Sequence, residues 1–354
     1  KSTFAIATIA AVSATALQAP NQKHFEFMQF VANHGKNYKT TEEYAIRLER
    51  YLKIDAYIVE NNADPKSTHT AAHNFLSDST EAEYQKLLGT REQSESDHHA
   101  GQHEVTGEIL GATKNWTGSC STAVKDQGQC GSCWSFAGTE VVESGHCIKS
   151  GTLLTLSTQQ NVDCNKNCYG CDGGWAYKVF EYFQTDAAEL SLTTLTLLLT
   201  DLQDAASKGK VNTTGYTSVA GDNVDMMSAI NGQPVAVAIN ASSQGFQSYS
   251  SGVLSGHCST QCNHAVVAAG YNSTASEPYW IVRNSWGSGW GNGGFIWMTQ
   301  NGGAKGQCGI NTDVNYPNID FTFAVDMSTF SSNAISLYNT YFELLWILGV
   351  LGFW

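Results

Sequence analysis

Of all the residues in this chain, Cys133 most restricts what it can fold into. Residues 126–137 read DQGQCGSCWSFA, and Cys133 sits inside that run. Two residue types suited to a cysteine nucleophile occur far downstream: His264, 131 residues later, and Asn284, 151 residues later. The thiolate attacks, not the thiol, and a free thiol of pKa ~8.5 is mostly protonated at neutral pH. A nearby imidazolium and a helix N-terminus both favour the thiolate. For the three to act together, the fold must carry His264 and Asn284 back to Cys133.

Each partner has a chemical task. His264 can supply the imidazolium and later give the same proton to a leaving amine, serving as ion-pair partner and general acid. Asn284 would fix the imidazole ring through its side-chain amide, and Trp286 would shield that bond from water. A developing oxyanion needs donors, and the Cys133 backbone N–H with the Gln127 side-chain amide could provide them. A four-cysteine zinc site from Cys130, Cys133, Cys168 and Cys171 is disfavoured, because 34 residues separate the two pairs against ~15–20 in a zinc ribbon. A thioredoxin-like reading needs a βαβ pattern around the Cys-x-x-Cys, and none is found.

The nucleophile run, Cys171-Asp172-Gly173-Gly174, the His264 block and NSWGSGWG from Asn284 to Gly291 together resemble the papain family of cysteine peptidases. The layout is closest to the cathepsin L group. The resemblance covers about residues 24–317 and implies an α+β, two-lobed fold, with a helical left lobe, a β-rich right lobe and the cleft between them. It implies a cysteine endopeptidase that hydrolyses proteins through an acyl-enzyme and is made as a zymogen. No His-rich insertion like that of cathepsin B lies between Gly174 and Leu190, which favours endopeptidase action.

By carry-over, Gln127, Cys133, His264 and Asn284 are the catalytic residues. Gly173, Gly174, Trp175, Ala176, Ala238, Cys262, Ala265, Asp313 and Trp286 are the substrate-binding ones. Asp313 would lie at the floor of the pocket for the second side chain before the scissile bond, accepting arginine there while the apolar walls accept Leu or Phe. The resemblance also implies the disulfides Cys130–Cys171, Cys258–Cys308 and Cys120–Cys147. Cys164 is then stranded, either paired with Cys168 or reduced, and Cys262 has no mate. No cofactor and no metal are expected, and the protein is expected to be a monomer. The alternative is a catalytically silent homologue acting as a binding or inhibitory protein; an acyltransferase is disfavoured by the segment upstream.

That segment has its own pattern. Glu43, Arg47, Tyr51, Ile54, Ile58 and Asn62 recur at helical steps along one face. In order and type they resemble the prosegment motif of cathepsin L-like zymogens, with Ile54 in place of Asn. Asn74-Phe75-Leu76-Ser77-Asp78 resembles a second prosegment signature, with Leu76 in place of Phe. The resemblance implies a small helical unit that sends an extended strand backwards through the cleft. The polar stretch Arg91–Glu104 reads as an exposed linker. The expected organisation is a signal peptide (1–16), an inhibitory prosegment (17–110), a peptidase domain (111–317) and an atypical tail (318–354). The mature chain is expected to begin between Glu108 and Thr113, shortly before Trp116.

Composition agrees with a secreted globular protein. Of 354 residues, 42% are hydrophobic and 14% charged, outside the disordered class. A net charge of −13 argues against a nucleic-acid partner. Lys1 followed by an uncharged stretch from Phe4 to Ala16 reads as an export signal, pointing to the secretory pathway and a lysosome-type or phagosome-type vacuole or the exterior. Ten cysteines fit an oxidising compartment. Sequons stand at Asn115, Asn212, Asn240 and Asn272, and the histidines other than His264, including His98, His99 and His103, read as solvated. Cys133–Lys149 reads as a helix. Pro234–Ile239, Val266–Ala269 and Tyr279–Val282 read as strands. Leu192–Thr200 departs from the family pattern and is what a one-base frame slip makes of Ser-Asp-Tyr-Pro-Tyr-Thr-Ala-Ala-Asp. The tail ends in eleven apolar residues, Leu344–Trp354, short of the ~18 that a spanning helix needs, so membrane anchoring is not expected.

Overall fold

The structure is a computed structural model that describes residues 22–91, 101–105, 111–189, 191, 211–256 and 258–319. The export signal, the 192–203 stretch and the tail beyond Ile319 lie outside the described residues.

The upstream segment is built on two helices, α1 (Gln22–Asn33) and α2 (Thr41–Ala63). Thr40 starts α2 by accepting the Glu43 N–H at 3.1 Å, and Glu42 and Glu43 suit the positive end of the helix. Most of the repeating face makes contacts within the upstream segment. Tyr51 and Ile54 are buried, Arg47 pairs with Glu43 and Glu83, and Asn62 brackets the Ala71 backbone with bonds of 2.8 and 2.9 Å. Phe27, Phe30 and Tyr51 form a small aromatic core. Strand β1 (His69–Ala71) and helix α3 (Glu81–Leu87) follow, α3 opening with a capping box between Thr80 and Glu83.

Two short strands come next, β2 (Gly101–Gln102) and β3 (Thr113–Asn115). The left lobe then takes α4 (Cys133–Ser150), α5 (Thr158–Cys164), a 3-10 turn at Gly170–Asp172 and α6 (Ala176–Thr185). The right lobe has β4 (Thr213–Ser218), α7 (Asn223–Gly232), β5 (Val235–Ile239), α8 (Gln244–Gln247) and β6 (Tyr249–Leu254). It is completed by β7 (His264–Asn272), β8 (Tyr279–Arg283), β9 (Phe295–Thr299) and β10 (Val314–Ile319). The strands join in the order β1-β6-β9-β8-β7-β5-β10-β4-β2, with β3 added to β7.

Alternation along β5 and β7 divides the interior. Val235, Val237, Ile239, Val266 and Ala268 face a right-lobe core that holds Trp280, Trp286 and Trp290. Ala236, Ala265, Val267 and Ala269 face the left-lobe core of α4 and α6, with Val141, Val142, Phe180 and Phe183. Small residues on that face let α4 lie close to the sheet. Helix α6 is also close to α4, since a Cβ on Gly138 would fall 2.7 Å from the Val179 side chain. Strand registers Ala238↔Ala265 and Ile239↔His264 then set His264 at the lobe boundary.

Several expectations need correction. His103 is not solvated: its ring contacts Tyr316 Oη at 3.0 Å and Ser228 Oγ at 3.1 Å. His69 is buried and stacks on Tyr249. The linker is not wholly loose, because Gly101 and Gln102 pair in parallel with Thr217 and Ser218. The Asn240 sequon is buried, and its Nδ2 donates to Gln261 O at 2.6 Å. A buried, engaged amide cannot carry a glycan in this fold. The disulfides present are Cys120–Cys147, Cys130–Cys171 and Cys258–Cys308. Cys164 and Cys168 are both free thiols, as is Cys262.

Candidate active site

Cys133 is the first residue of α4. Ser132, at the N-cap, makes no side-chain cap bond; its carbonyl takes the Ser135 and Phe136 N–H groups, and the Trp134 N–H goes to the thiol. The Trp134 and Ala265 backbone N–H groups both donate to Cys133 Sγ, the latter at 3.4 Å. His264 opens β7 and Asn284 directly follows β8. His264 Nε2 bonds Asn284 Oδ1 at 2.8 Å, and the same oxygen accepts the Ser285 N–H at 2.8 Å. Asn284 Oδ1 is therefore an acceptor, so Nε2 carries the ring hydrogen and Nδ1 keeps its lone pair. Nδ1 has no hydrogen-bond partner among the described residues, and it can take a proton from the thiol. Trp286 lies 4.9 Å from the His264 ring, and Phe246 meets that ring edge-on at 6.1 Å, enclosing the His–Asn bond in apolar surface.

Gln127 is fixed from both ends. Its Oε1 accepts from Ser285 Oγ at 2.7 Å, and its Nε2 donates to Cys130 O at 2.8 Å and to Leu87 O at 2.9 Å. The second of these acceptors belongs to the upstream segment. From Leu87 to Arg91 that segment crosses directly over the site. Gly174 N–H donates to Gly89 O at 2.8 Å, Arg91 N–H donates to Gly174 O at 3.4 Å, and the Thr90–Gly174 bridge is parallel. Thr90 Oγ1 lies 3.7 Å from Cys133 Sγ. Gly89 is needed for this approach, since a Cβ there would fall 1.9 Å from Gly131 O. Helix α3 seals the neighbouring surface: Tyr84 Oη donates to Ala241 O at 2.6 Å, and its ring meets Trp286 edge-on at 5.7 Å.

This cover changes the charge state expected from the sequence. Cys133 and His264 have no solvent exposure. Burial pushes the thiol pKa up, an effect the Ala265, Thr90, Gly89 and Trp134 donors only oppose. Burial also lowers the His264 pKa to about 4, partly offset by Asn284. The covered pair is therefore neutral thiol and neutral imidazole at pH 7, not thiolate and imidazolium. The ion pair requires the cleft to open.

Apart from Trp286, which lies against His264, the expected substrate-binding residues fall in two groups. Ala238 and Ala265 are cross-strand partners; the Ala238 N–H donates to Asp313 O at 3.1 Å, and Cys262 Sγ donates to Ala238 O at 3.3 Å. Asp313 lies within electrostatic reach of Cys262 and accepts a hydrogen bond from Asn315. Gly173, Gly174, Trp175 and Ala176 belong to the facing lobe, where Trp175 and Ala176 edge the left-lobe core. Sequence reasoning missed Ser285, although it follows Asn284, and missed a buried support beneath the site. Arg283 donates to Ser121 Oγ (2.7 Å), Thr122 O (2.8 Å), Ala123 O (2.6 Å) and Glu140 (3.2 Å). Glu143 accepts from Thr122 Oγ1, Lys125 Nζ and the Leu156 N–H. Together they tie the loop before Gln127 to α4 and β8.

Residues 111–318 match the papain family of cysteine proteases, and residues 27–84 match the cathepsin propeptide inhibitor domain. The chain belongs to the papain family, and it is a cysteine endopeptidase carrying its own inhibitory propeptide as a zymogen. It is 34% identical to ananain from Ananas comosus over 85% of this chain and 88% of that one. Among solved structures it resembles digestive procathepsin L 3 of the Tenebrio molitor larval midgut, with TM-score 0.73 and 29% identity over 84% of this chain and all of the other. A recombinant stem bromelain precursor gives TM-score 0.73 and 31% identity over 84% and 99%. Nothing in these comparisons favours the silent alternative. Among the described residues no helix is long and apolar enough to cross a membrane.

Proposed function

We propose that Cys133 is the nucleophile, His264 its base and acid, Asn284 the group that orients His264, and Gln127 with the Cys133 N–H the oxyanion donors. The observation that carries this reading is Gln127 Nε2 donating to a carbonyl of the covering chain, Leu87 O, at 2.9 Å, which supports a side chain poised to donate to a peptide carbonyl in the cleft. With the cleft open, His264 Nδ1 takes the Cys133 proton and the thiolate attacks the substrate carbonyl carbon. Gln127 and the helix amide hold the negative oxygen. His264 then protonates the leaving amine, the C–N bond breaks, and a thioester remains. Water, deprotonated by His264, releases the acid and restores the thiol.

Finer readings belong to the same proposal. Asp313, beside Cys262 and Ala238, would pair with an arginine as the second residue before the scissile bond, while Ala238 and Ala265 admit Leu or Phe. The protein acts as a monomer on protein substrates in an acidic vacuole of the secretory pathway or outside the cell. The test begins with Cys133→Ala, which should give an unprocessed zymogen with no turnover after acid treatment with a thiol. Gln127→Ala should keep the fold and lower kcat about 100-fold. Turnover in Cys133→Ala would overturn the assignment, and an unchanged Arg-to-Leu ratio of kcat/KM in Asp313→Ala would remove the pocket reading.

A further inference from the structure

The sequons at Asn240 and Asn272 meet opposite fates in the fold. The Asn240 amide is buried and committed to the Gln261 carbonyl. Asn272 is the last residue of β7 and is only partly buried. Tyr271, just before it, turns inward onto the Trp280 ring at 6.2 Å, so strand alternation aims Asn272 at the outer face of the sheet. There Oδ1 accepts three bonds of 3.1 Å, from the Thr274 N–H, the Thr274 hydroxyl and the Ala275 N–H. Two of these donors are backbone N–H groups, which only the amide oxygen can accept, so the assignment of oxygen and nitrogen is fixed. The turn uses the oxygen and leaves Nδ2 uncommitted among the described residues. The third residue of the Asn272-Ser273-Thr274 triplet is thus already folded back onto the first.

We propose that Asn272 carries an N-linked oligosaccharide on Nδ2, which screens the first strand of the peptidase domain. The proposal rests on the secretory route in the proposed function and not on the peptidase chemistry. The donor is a lipid pyrophosphate-linked oligosaccharide. The bond from Nδ2 to the anomeric carbon forms as the carbon–oxygen bond to phosphate breaks. The lipid pyrophosphate leaves with the electron pair, and Nδ2 gives up one proton. The fold accommodates the product because Oδ1 keeps the turn while the sugar takes the nitrogen that the turn does not use. Thr113 of β3 pairs directly with Asn272, and the Ser273 N–H donates to Ala112 O at 2.9 Å. Strand β3 is tied to the sheet only through β7, and a short terminal strand held on one side is open to trimming. A sugar on Asn272 stands beside that strand. At ~3.4 Å per residue, β7 carries Asn272 about 27 Å from His264, so the cleft stays clear.

The experiment uses the full-length zymogen made in secreting eukaryotic cells. Release of the sugar by an amidase in heavy-oxygen water converts an occupied asparagine to labelled aspartate, which peptide mass spectrometry locates. Asn272 should be labelled in most secreted molecules, and Thr274→Ser, which keeps the hydroxyl, should stay labelled. Thr274→Ala and Asn272→Asp should both lose the sugar. The aspartate keeps an acceptor for the turn, so its melting and its cleavage of a small peptide should match wild type. After acid activation, an aminopeptidase should remove Thr113–Asn115 severalfold faster from Thr274→Ala and from Asn272→Asp than from wild type. A secreted wild-type protein with unlabelled Asn272 overturns the site, and labelled Asn272 with equal trimming overturns the screening. If the protein stays in the cytosol, the secretory reading fails. The chain behind a host export signal then decides the site, and unlabelled Asn272 there overturns it.

Discussion

The propeptide unit and the peptidase body are joined in one structure yet are held together by different forces. The body has two apolar cores and three disulfides, and its buried Trp and Phe side chains contribute about 1.5–3 kcal/mol each. Among the described residues, the propeptide unit's own core is the small cluster of Phe27, Phe30 and Tyr51, with Tyr38, Tyr44 and Leu48 packed against it. Much of its remaining order comes from titratable pairs: Arg47 with Glu83, Lys36 with the buried Asp78 at 2.7 Å, and Lys23 with Asp55 at 2.9 Å. Glu83, held down chiefly by Arg47, keeps its side of the pair until strong acid, so the acid-sensitive group under the cover is His264 rather than these pairs.

The largest effect that would sharpen this comparison is on the body. Replacing Cys258 and Cys308 by serine opens a loop with sequence separation 50, and should lower the body's unfolding free energy by about 4 kcal/mol. The pH at which the cover lifts should stay where it was. Denaturant melts of the activated enzyme measure the first quantity, and a shift in the second would show that the two regions are not separately held.

Next comes acid itself. His264 has its pKa lowered to about 4 in the covered state, against an ordinary ~6.5. A depressed histidine favours the covered state above its ordinary value; that advantage is lost as pH falls from ~6.5 and is gone below about 4. The loss amounts to about 3 kcal/mol. In full-length Cys133→Ala, which cannot cut itself, hydrogen exchange of residues 87–91 should rise across that window and then level. Flat protection would break the argument that burial of the pair makes the cover acid-labile.

Gly89→Ala should lift the strand without acid. Its Cβ would meet Gly131 O at 1.9 Å, an overlap that costs about 2 kcal/mol after relaxation. Alkylation of Cys133 at pH 7 should quicken by about thirtyfold while the body's melting is unchanged. The smallest effect is expected from Glu83→Gln. Arg47, chiefly, holds the Glu83 pKa down to about 2, with Thr80 helping, so the pair contributes above the ordinary carboxylate value and fails as pH falls through about 2. Its removal should cost about 1 kcal/mol, read as a small upward shift in the pH of release.

Residues bound to chemistry were legible in the sequence. Cys133, His264, Asn284 and Gln127 each need a particular functional group, and the apolar runs of β5, β7 and β8 need burial. The covering strand was legible only in outline, because Leu87, Gly89 and Thr90 act mainly through backbone groups that any residue possesses. Strand β2 was illegible for the same reason: Gly101 and Gln102 pair with Thr217 and Ser218 along the ladder, with no apolar signal. His69 and His103 were misjudged because an isolated histidine carries no mark of the tyrosine it will meet. Cys168, whose pKa burial pushes up to about 12, could not be told from its exposed neighbour Cys164.

The buried Asn240 amide sets a race during synthesis. Sugar transfer to Nδ2 would act on the extended chain, whereas the folded chain commits that nitrogen to the Gln261 carbonyl. A molecule modified at Asn240 could not make the bond to the Gln261 carbonyl that joins the end of β5 to the approach to β7 and His264. Occupied Asn240 should appear among retained, aggregated chains and be absent from active enzyme, a difference that glycopeptide mapping of the two fractions would read directly.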